Sequence, residues 1–320
     1  MGNDKPYTIR KRYTGVEVLG INSVIHGTPT VATIGFFDGV HLGHKFLLDS
    51  VADEARRNGK KSVVVTFVHN PKKFFDCRYD IRQLTTTAEK ISKMSYCGID
   101  YCLLLDFDQQ IATQTAKDFL AFLKHSFCLD TLFVGYDHTF GSDRIRDFDK
   151  IEAICNAMGI KAHKSEQFDL TGQTVSSSRI REYLHNGKIL EANAMLGYKY
   201  SLKGIVMHGQ MIGRTLGFPT ANLKNISDKL LPHNGVYAVE VIIDGIRHKG
   251  MLNIGNRPTV DGVNHTVEVN IFDFDRDIYD KEIEVVFCRF VRDEVKFSSL
   301  EELKTQLNID RQTVSAFLGG

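Results

Sequence analysis

The stretch Val31-Ala32-Thr33-Ile34-Gly35-Phe36-Phe37-Asp38-Gly39-Val40-His41-Leu42-Gly43-His44 decides how this chain is read. Its first four residues are an apolar run of the kind that forms a buried strand. Beyond it, Leu48, Val51, Ala52 and Ala55 fall at helical spacing across 45–57, and Asn58-Gly59 supplies a stop. Gly35, Asp38, Gly39, His41 and His44 therefore sit on a strand-to-helix turn. A helix N-terminus there offers unpaired amides and the positive end of its dipole. His41 and His44, three apart, share one face of the first turn. Two imidazoles beside free amides suit phosphates whose charge grows during nucleotidyl transfer. Alone, a glycine-rich turn is usually only a turn, so the rest of the chain must decide.

The length, 320 residues, points to about two domains, since single cores rarely grow beyond roughly 250–300 residues. Forty basic residues against 39 acidic ones leave a net charge of +1, which argues against nucleic acid or a membrane surface as the main partner. Residues 1–15 are polar and lack the apolar core of a signal peptide. The longest apolar runs, such as 101–105, are far too short to span a bilayer. Cys77, Cys97, Cys102, Cys128, Cys155 and Cys288 form no CxxC pair. This argues against a disulfide framework or metal cluster and makes a reduced cytoplasm the expected home.

The periodicity changes along the chain. Strand-like runs at 31–35, 62–68, 101–105, 132–135 and 160–163 alternate with helical patterns at 45–57, 86–97, 115–127 and 149–158. Such alternation predicts a parallel α/β sheet with helices on both faces and ligands beyond the carboxyl ends of its strands. After about residue 186, runs at 200–208, 236–243, 246–254, 265–272 and 283–291 follow one another with little helix, and Asp244-Gly245 reads as a tight hairpin. That pattern predicts a small antiparallel barrel or sandwich. Helical patterns at 178–186 and 189–196 bridge the halves, and two more, at 299–307 and 310–318, close the chain. The domains expected are 1–186 and 187–320.

Further motifs stand in order along both halves. Val175-Ser176-Ser177-Ser178-Arg179-Ile180-Arg181 places hydroxyls at a helix start and Arg181 one turn in, a set suited to a triphosphate. Gly209, Gly213-Arg214 and Gly217-Phe218-Pro219-Thr220-Ala221-Asn222 form a glycine-rich segment without the spacer or lysine of a P-loop. Thr220 and Asn222, two apart in an extended segment, would offer neutral oxygens on one side.

With both halves read, the chain resembles the bacterial bifunctional riboflavin kinase/FAD synthetase family, from about Val16 to the C-terminus. The resemblance implies a Rossmann-like nucleotidyltransferase domain followed by a β-barrel kinase domain with a C-terminal helix. It also implies ATP-dependent phosphorylation of riboflavin to FMN with release of ADP, then adenylylation of FMN to FAD, with Mg²⁺ as the metal. His41 and His44 would hold ATP phosphates together with Gly35, Asp38, Gly39, Ser177, Ser178 and Arg181. Gly209, Gly213, Arg214, Gly217 and Pro219 would serve the kinase nucleotide, and Thr220 and Asn222 its metal. Glu268, in Val267-Glu268-Val269, matches the catalytic glutamate of the family. A carboxylate accepting the ribityl proton typically supplies about 10²–10⁴-fold. Val134-Gly135-Tyr136-Asp137-His138-Thr139-Phe140-Gly141 matches a flavin-side segment, giving Asp137 and Phe140 as flavin contacts with Arg292 in the other domain.

One departure bears on the second reaction. Where the family carries T-F-x-P-H-P, this chain reads Thr66-Phe67-Val68-His69-Asn70-Pro71. Asn70 can donate to a phosphate but cannot become cationic. Two alternatives follow from the sequence: a riboflavin kinase that makes FAD weakly, and a flavin-binding protein without turnover.

Overall fold

A computed structural model describes residues 11–13, 15–76, 81–136, 139, 141–208, 213, 216–224, 226, 229–259 and 262–319. Packing divides the chain into two units, 1–81 with 85–175 and 82–84 with 176–320. The break at 175 falls earlier than the expected boundary at 186.

The first unit contains β1 (Lys11–Tyr13), β2 (Val16–Leu19), β3 (Thr30–Ile34), α1 (Leu42–Arg57), β4 (Lys61–Phe67), α2 (Pro71–Phe75), α3 (Thr87–Ser95) and β5 (Tyr101–Leu105). It continues with α4 (Gln109–Ala112), α5 (Ala116–Phe127), β6 (Leu129–Val134), α6 (Phe148–Ala157), β7 (Lys161–Lys164) and a hairpin of β8 (Asp169–Leu170) and β9 (Gln173–Thr174). Seven strands form one sheet in the order β1-β2-β5-β4-β3-β6-β7, parallel except for β1. All five residues of β3 are buried, as a strand covered on both faces requires. Ala32 and Ile34 face a core with Phe119, Leu120 and Leu123 of α5, and Val31 faces one with Leu48, Val51 and Ile91 of α1 and α3. This is the α/β sheet expected from the alternation of elements.

The strand order supplies the crevice. From β3 the chain moves through β4 and β5 on one side, then returns to place β6 on the other. Such reversals leave a gap beyond the carboxyl ends of the strands, where open α/β sheets bind ligands. The Gly35–His44 turn leaves β3 at that gap.

The second unit begins with α7 (Ser177–His185) and α8 (Ile189–Leu196). The strands β10 (Ser201–Met207), β11 (Ala221–Lys224), β12 (Gly235–Ile243), β13 (Ile246–Thr259), β14 (Gly262–Ile271) and β15 (Glu282–Arg292) close a six-stranded antiparallel barrel in the order β10-β11-β14-β13-β12-β15. The hairpin between β12 and β13 turns at Asp244 and Gly245, both with positive φ (51° and 80°), as the sequence pair requires. The two helices expected at the end are one, α9 (Leu300–Gly319). Asn308, the expected break, donates its side-chain amide to the Lys304 carbonyl within that helix. Asp310 is drawn inward by Arg292 instead of capping a new helix. Among the described residues no helix is long and apolar enough to cross a membrane.

Candidate active sites

In the first unit, His41 is itself the N-cap of α1: its Nδ1 accepts the His44 amide at 3.2 Å. An Nδ1 that accepts leaves the ring proton on Nε2, at the far side of the imidazole. The two imidazoles stack, with centroids 3.6 Å apart and planes at 14°. Phe37 meets His44 edge-on at 5.2 Å. Burial holds the pKa of His44 well below its ordinary value, with His41 and Lys90 adding to the effect. His44 is therefore a neutral ring, and its Nδ1 is buried with no hydrogen-bond partner among the described residues.

The turn is strained and heavily braced. Phe37 and Val40 have φ of 53° and 37°, a region that a β-branched residue very rarely enters, while Gly39 takes φ 84° without penalty. The Val40 amide donates to the Phe37 carbonyl at 3.1 Å, and the Gly35 amide to Val65 of β4 at 3.0 Å. Asp38, only 4% exposed, accepts the Thr85 amide at 3.2 Å and the Thr85 hydroxyl at 3.3 Å. The Thr85 hydroxyl lies 3.0 Å from the Gly39 amide, which donates to it. Asp38 thus holds the turn from within, a task the sequence does not distinguish from phosphate contact.

Three other features of this unit escaped the sequence reading. Lys90 of α3 is buried and donates to the carbonyls of Phe36 and Phe67. Burial pulls its pKa down to about 8, against the opposing influence of Cys102 and Asp38. Beside the exits of β4 and β5, Phe74 and Phe75 meet Phe107 edge to face, each at 5.6 Å, and both remain exposed. Asn70 caps α2 through its Oδ1, which accepts the Lys72 amide at 3.0 Å. Asp137 and Phe140 lie outside the described residues.

In the second unit, Ser177 and Ser178 occupy the first turn of α7, but the cap is Ser176, whose hydroxyl accepts the Arg179 amide at 3.3 Å. Arg181 Nε donates to the Arg82 carbonyl at 3.4 Å.

The barrel site lies on the strands themselves. Glu268 of β14 is the register partner of Asn222 on β11 and of Asn253 on β13. The same row continues from Asn253 to Val236 of β12 and on to Arg292 of β15. A cavity of about 350 Å³ opens along it, lined by Thr220, Asn253, Glu268, Asn270 and Arg292 and closed on the α9 side by Leu303, Leu307 and Asp310. Gly213 also lines it, and a Cβ there would meet the Phe218 carbonyl at 2.3 Å, so only glycine fits. Gly217 lies in the connection to β11, and the Pro219 carbonyl accepts the Asn270 amide at 2.7 Å. Asn270 Oδ1 is buried with no hydrogen-bond partner among the described residues, leaving an orphaned acceptor at the cavity. The Arg292 guanidinium is already engaged, donating to both oxygens of Asp310 at 2.9 and 2.6 Å. Gly209 and Arg214 lie outside the described residues.

Two family models match the chain, one described as FAD synthetase over residues 25–179 and one as riboflavin kinase over residues 196–318. The bifunctional riboflavin kinase/FMN adenylyltransferase of Escherichia coli (strain K12) is 37% identical over 294 residues, covering 90% of this chain and 93% of that protein. The protein of the same name from Pseudomonas fluorescens is 38% identical over 283 residues, covering 88% and 90%. A crystal structure from Streptococcus pneumoniae, described as a macrolide-efflux protein, superposes with a TM-score of 0.85 at 31% identity, covering 93% of this chain and 98% of that one. Both family models and relatives that match nearly end to end converge on one assignment: the chain belongs to the bifunctional riboflavin kinase/FMN adenylyltransferase family.

Proposed function

We propose that this chain makes both flavin cofactors, phosphorylating riboflavin to FMN in the barrel and adenylylating FMN to FAD at the Gly35–His44 turn. The observation that carries the reading is the placement of Glu268 between two asparagines on the wall of the barrel cavity. Residues 1–186 would serve the adenylyltransferase and 187–320 the kinase. The cytoplasm is the expected location.

In the kinase, Glu268 takes the proton of the ribityl hydroxyl as its oxygen attacks the terminal phosphorus of ATP and ADP departs. Asn222 and Asn253 flank Glu268 in the strand register. Thr220 and Asn222 fit the hard, oxygen-only ligand preference of Mg²⁺, and the orphaned Asn270 oxygen adds acceptor character to the same wall. When bound, that ion would neutralise phosphate charge. Gly213, Gly217 and Pro219 let backbone approach the nucleotide, as would Gly209 and Arg214. Arg292 contributes a wall already fixed by Asp310, against which the flavin would pack.

In the adenylyltransferase, an FMN phosphate oxygen attacks the α-phosphorus of ATP, and pyrophosphate leaves carrying new charge. His41 Nε2, the imidazole of His44 and the first amides of α1 donate to that charge, and His44 does so as a neutral ring. Gly35, Asp38 and Gly39 shape the turn that aims them. The Asn70 amide would be a further phosphate donor, and the family resemblance gives Ser177, Ser178 and Arg181 the same role. The exposed rings of Phe74 and Phe75 suit the flat face of a flavin, beside the roles given to Asp137 and Phe140. Incubating the protein with riboflavin, ATP and Mg²⁺ and separating the flavins by chromatography tests the reading. FMN followed by FAD is expected, and FMN alone would reduce the protein to a kinase.

A further inference from the structure

Lys90 is 1% exposed, although it sits on a helix whose sequence reads as an ordinary amphipathic one. Its Nζ donates to the Phe36 carbonyl at 3.1 Å and to the Phe67 carbonyl at 2.7 Å, and it lies 4.3 Å from the centroid of the Phe36 ring. Phe36 follows the end of β3, and Phe67 is the last residue of β4. One ammonium therefore ties together the exits of two neighbouring parallel strands, the first of which borders the reversal of strand order between β3 and β6. A methionine would fill the same space without the desolvation penalty of a buried charge.

The segment so tied is the strained one. Phe37 and Val40, immediately beyond Phe36, hold positive φ angles that persist only where the surroundings over-determine the backbone. The bracing converges from one direction. The Thr66 hydroxyl also donates to the Phe36 carbonyl at 3.1 Å, and Thr85, just ahead of α3, holds Asp38 and Gly39. The charge of Lys90 is also close enough to His44 to weigh against a proton there. The same helix thus braces the backbone of the turn and adds to the burial that keeps one of its imidazoles neutral.

We infer that Lys90 is a positioning residue for adenylyl transfer, clamping the ends of β3 and β4 so that the turn keeps His41 and His44 aimed at the nucleotide phosphates. This inference rests on the turn being the FMN adenylylation site. Alignment errors near 1 Å cost about 100-fold in rate, and that scale separates positioning from simple filling of space.

The test uses full-length wild type, Lys90→Met and Lys90→Arg, each assayed for FMN to FAD and for riboflavin to FMN, with urea unfolding alongside. In Lys90→Met, kcat for FAD formation is expected to fall about 100-fold while the KM for FMN and the kinase rate stay within about threefold. Lys90→Arg, which keeps charge and donors, should restore part of the loss. Its FAD-forming rate should also hold above pH 8, where burial lets the wild-type ammonium lose its proton and its charge-assisted bonds weaken. Asp38 from the turn, His44 from α1 and Cys102 from β5 face the same ammonium. His44 is already neutral in that range, and Cys102 is still a thiol, its pKa raised by burial to about 12. FAD formation by Lys90→Met within about threefold of wild type would overturn the inference. If that variant does not fold, matching alkaline profiles for Lys90→Arg and wild type would overturn it instead. Failure of the wild type itself to make FAD would be a failure of the site assignment, not of the clamp.

Discussion

On the proposed reading, the two units hold a phosphate in opposite ways. In the sheet unit the donors sit on a turn beyond the strands, where no ladder fixes the backbone. In the barrel unit Glu268, Asn222 and Asn253 lie within paired strands, and register alone sets their spacing. The turn accordingly needs outside bracing from Thr85, Thr66 and Lys90, and tolerates left-handed φ at Phe37 and Val40. Among its described residues, the barrel row carries no such strain. A site built on a turn can bring helix amides to its ligand, at the cost of depending on distant side chains. A site built on strands is rigid by construction but must draw its donors from side chains.

The contrast is open to direct attack. Glu268→Gln should lower FMN formation by about 10²–10⁴-fold while FMN-to-FAD conversion stays near wild type. A parallel loss of both activities would mean that the sites are not separate. His41→Ala combined with His44→Ala should lower FAD formation by about 10²–10³-fold and spare the kinase, by analogy with loss of charge-stabilising donors elsewhere. Retained FAD synthesis would remove the turn from the mechanism.

The next effect concerns stability. Asp310→Ala leaves the Arg292 guanidinium, 21% exposed, without its buried carboxylate. Loss of one partner of such a pair typically costs about 3–5 kcal/mol. Urea unfolding of the variant should show that loss, and the KM for riboflavin should rise as α9 loosens from the cavity. The smallest effect is a pH dependence. The pKa of His44 lies below its ordinary 6.5 in the folded chain, so below pH 6.5 the unfolded chain binds a proton that the folded chain refuses. Its contribution is complete above that pH and falls as pH drops, by up to about 1 kcal/mol per pH unit. Unfolding midpoints at pH 7.5 and 5.5 should differ less in His44→Gln than in wild type.

The architecture of both units was legible because it rests on periodicity. Alternating helix and strand patterns gave the parallel sheet, and the Asp244-Gly245 pair gave the hairpin of the barrel. β2 was not legible and β11 only as an unplaced extended segment, since four residues such as Ala221–Lys224 carry too little pattern and owe their pairing to their neighbours. The motif residues could be located by eye, but their partners could not. Nothing in the patterns at 86–97 and 310–318 marks Lys90 or Asp310 as buried. What buries them is a carbonyl or guanidinium from a distant segment, which no local window contains. Ser176 rather than Ser177 or Ser178 caps α7, because helix boundaries shift by a residue or two within a run of possible caps.

The cap of α1 uses one of the two nitrogens of the imidazole at position 41. Serine or asparagine would start this helix equally well, and either would end its reach there. A histidine keeps a second nitrogen across the ring from the one that caps, so on the proposed reading one side chain anchors the helix with one nitrogen and meets the nucleotide with the other. Replacing it with asparagine would separate those two duties, preserving the helix cap while removing the second nitrogen.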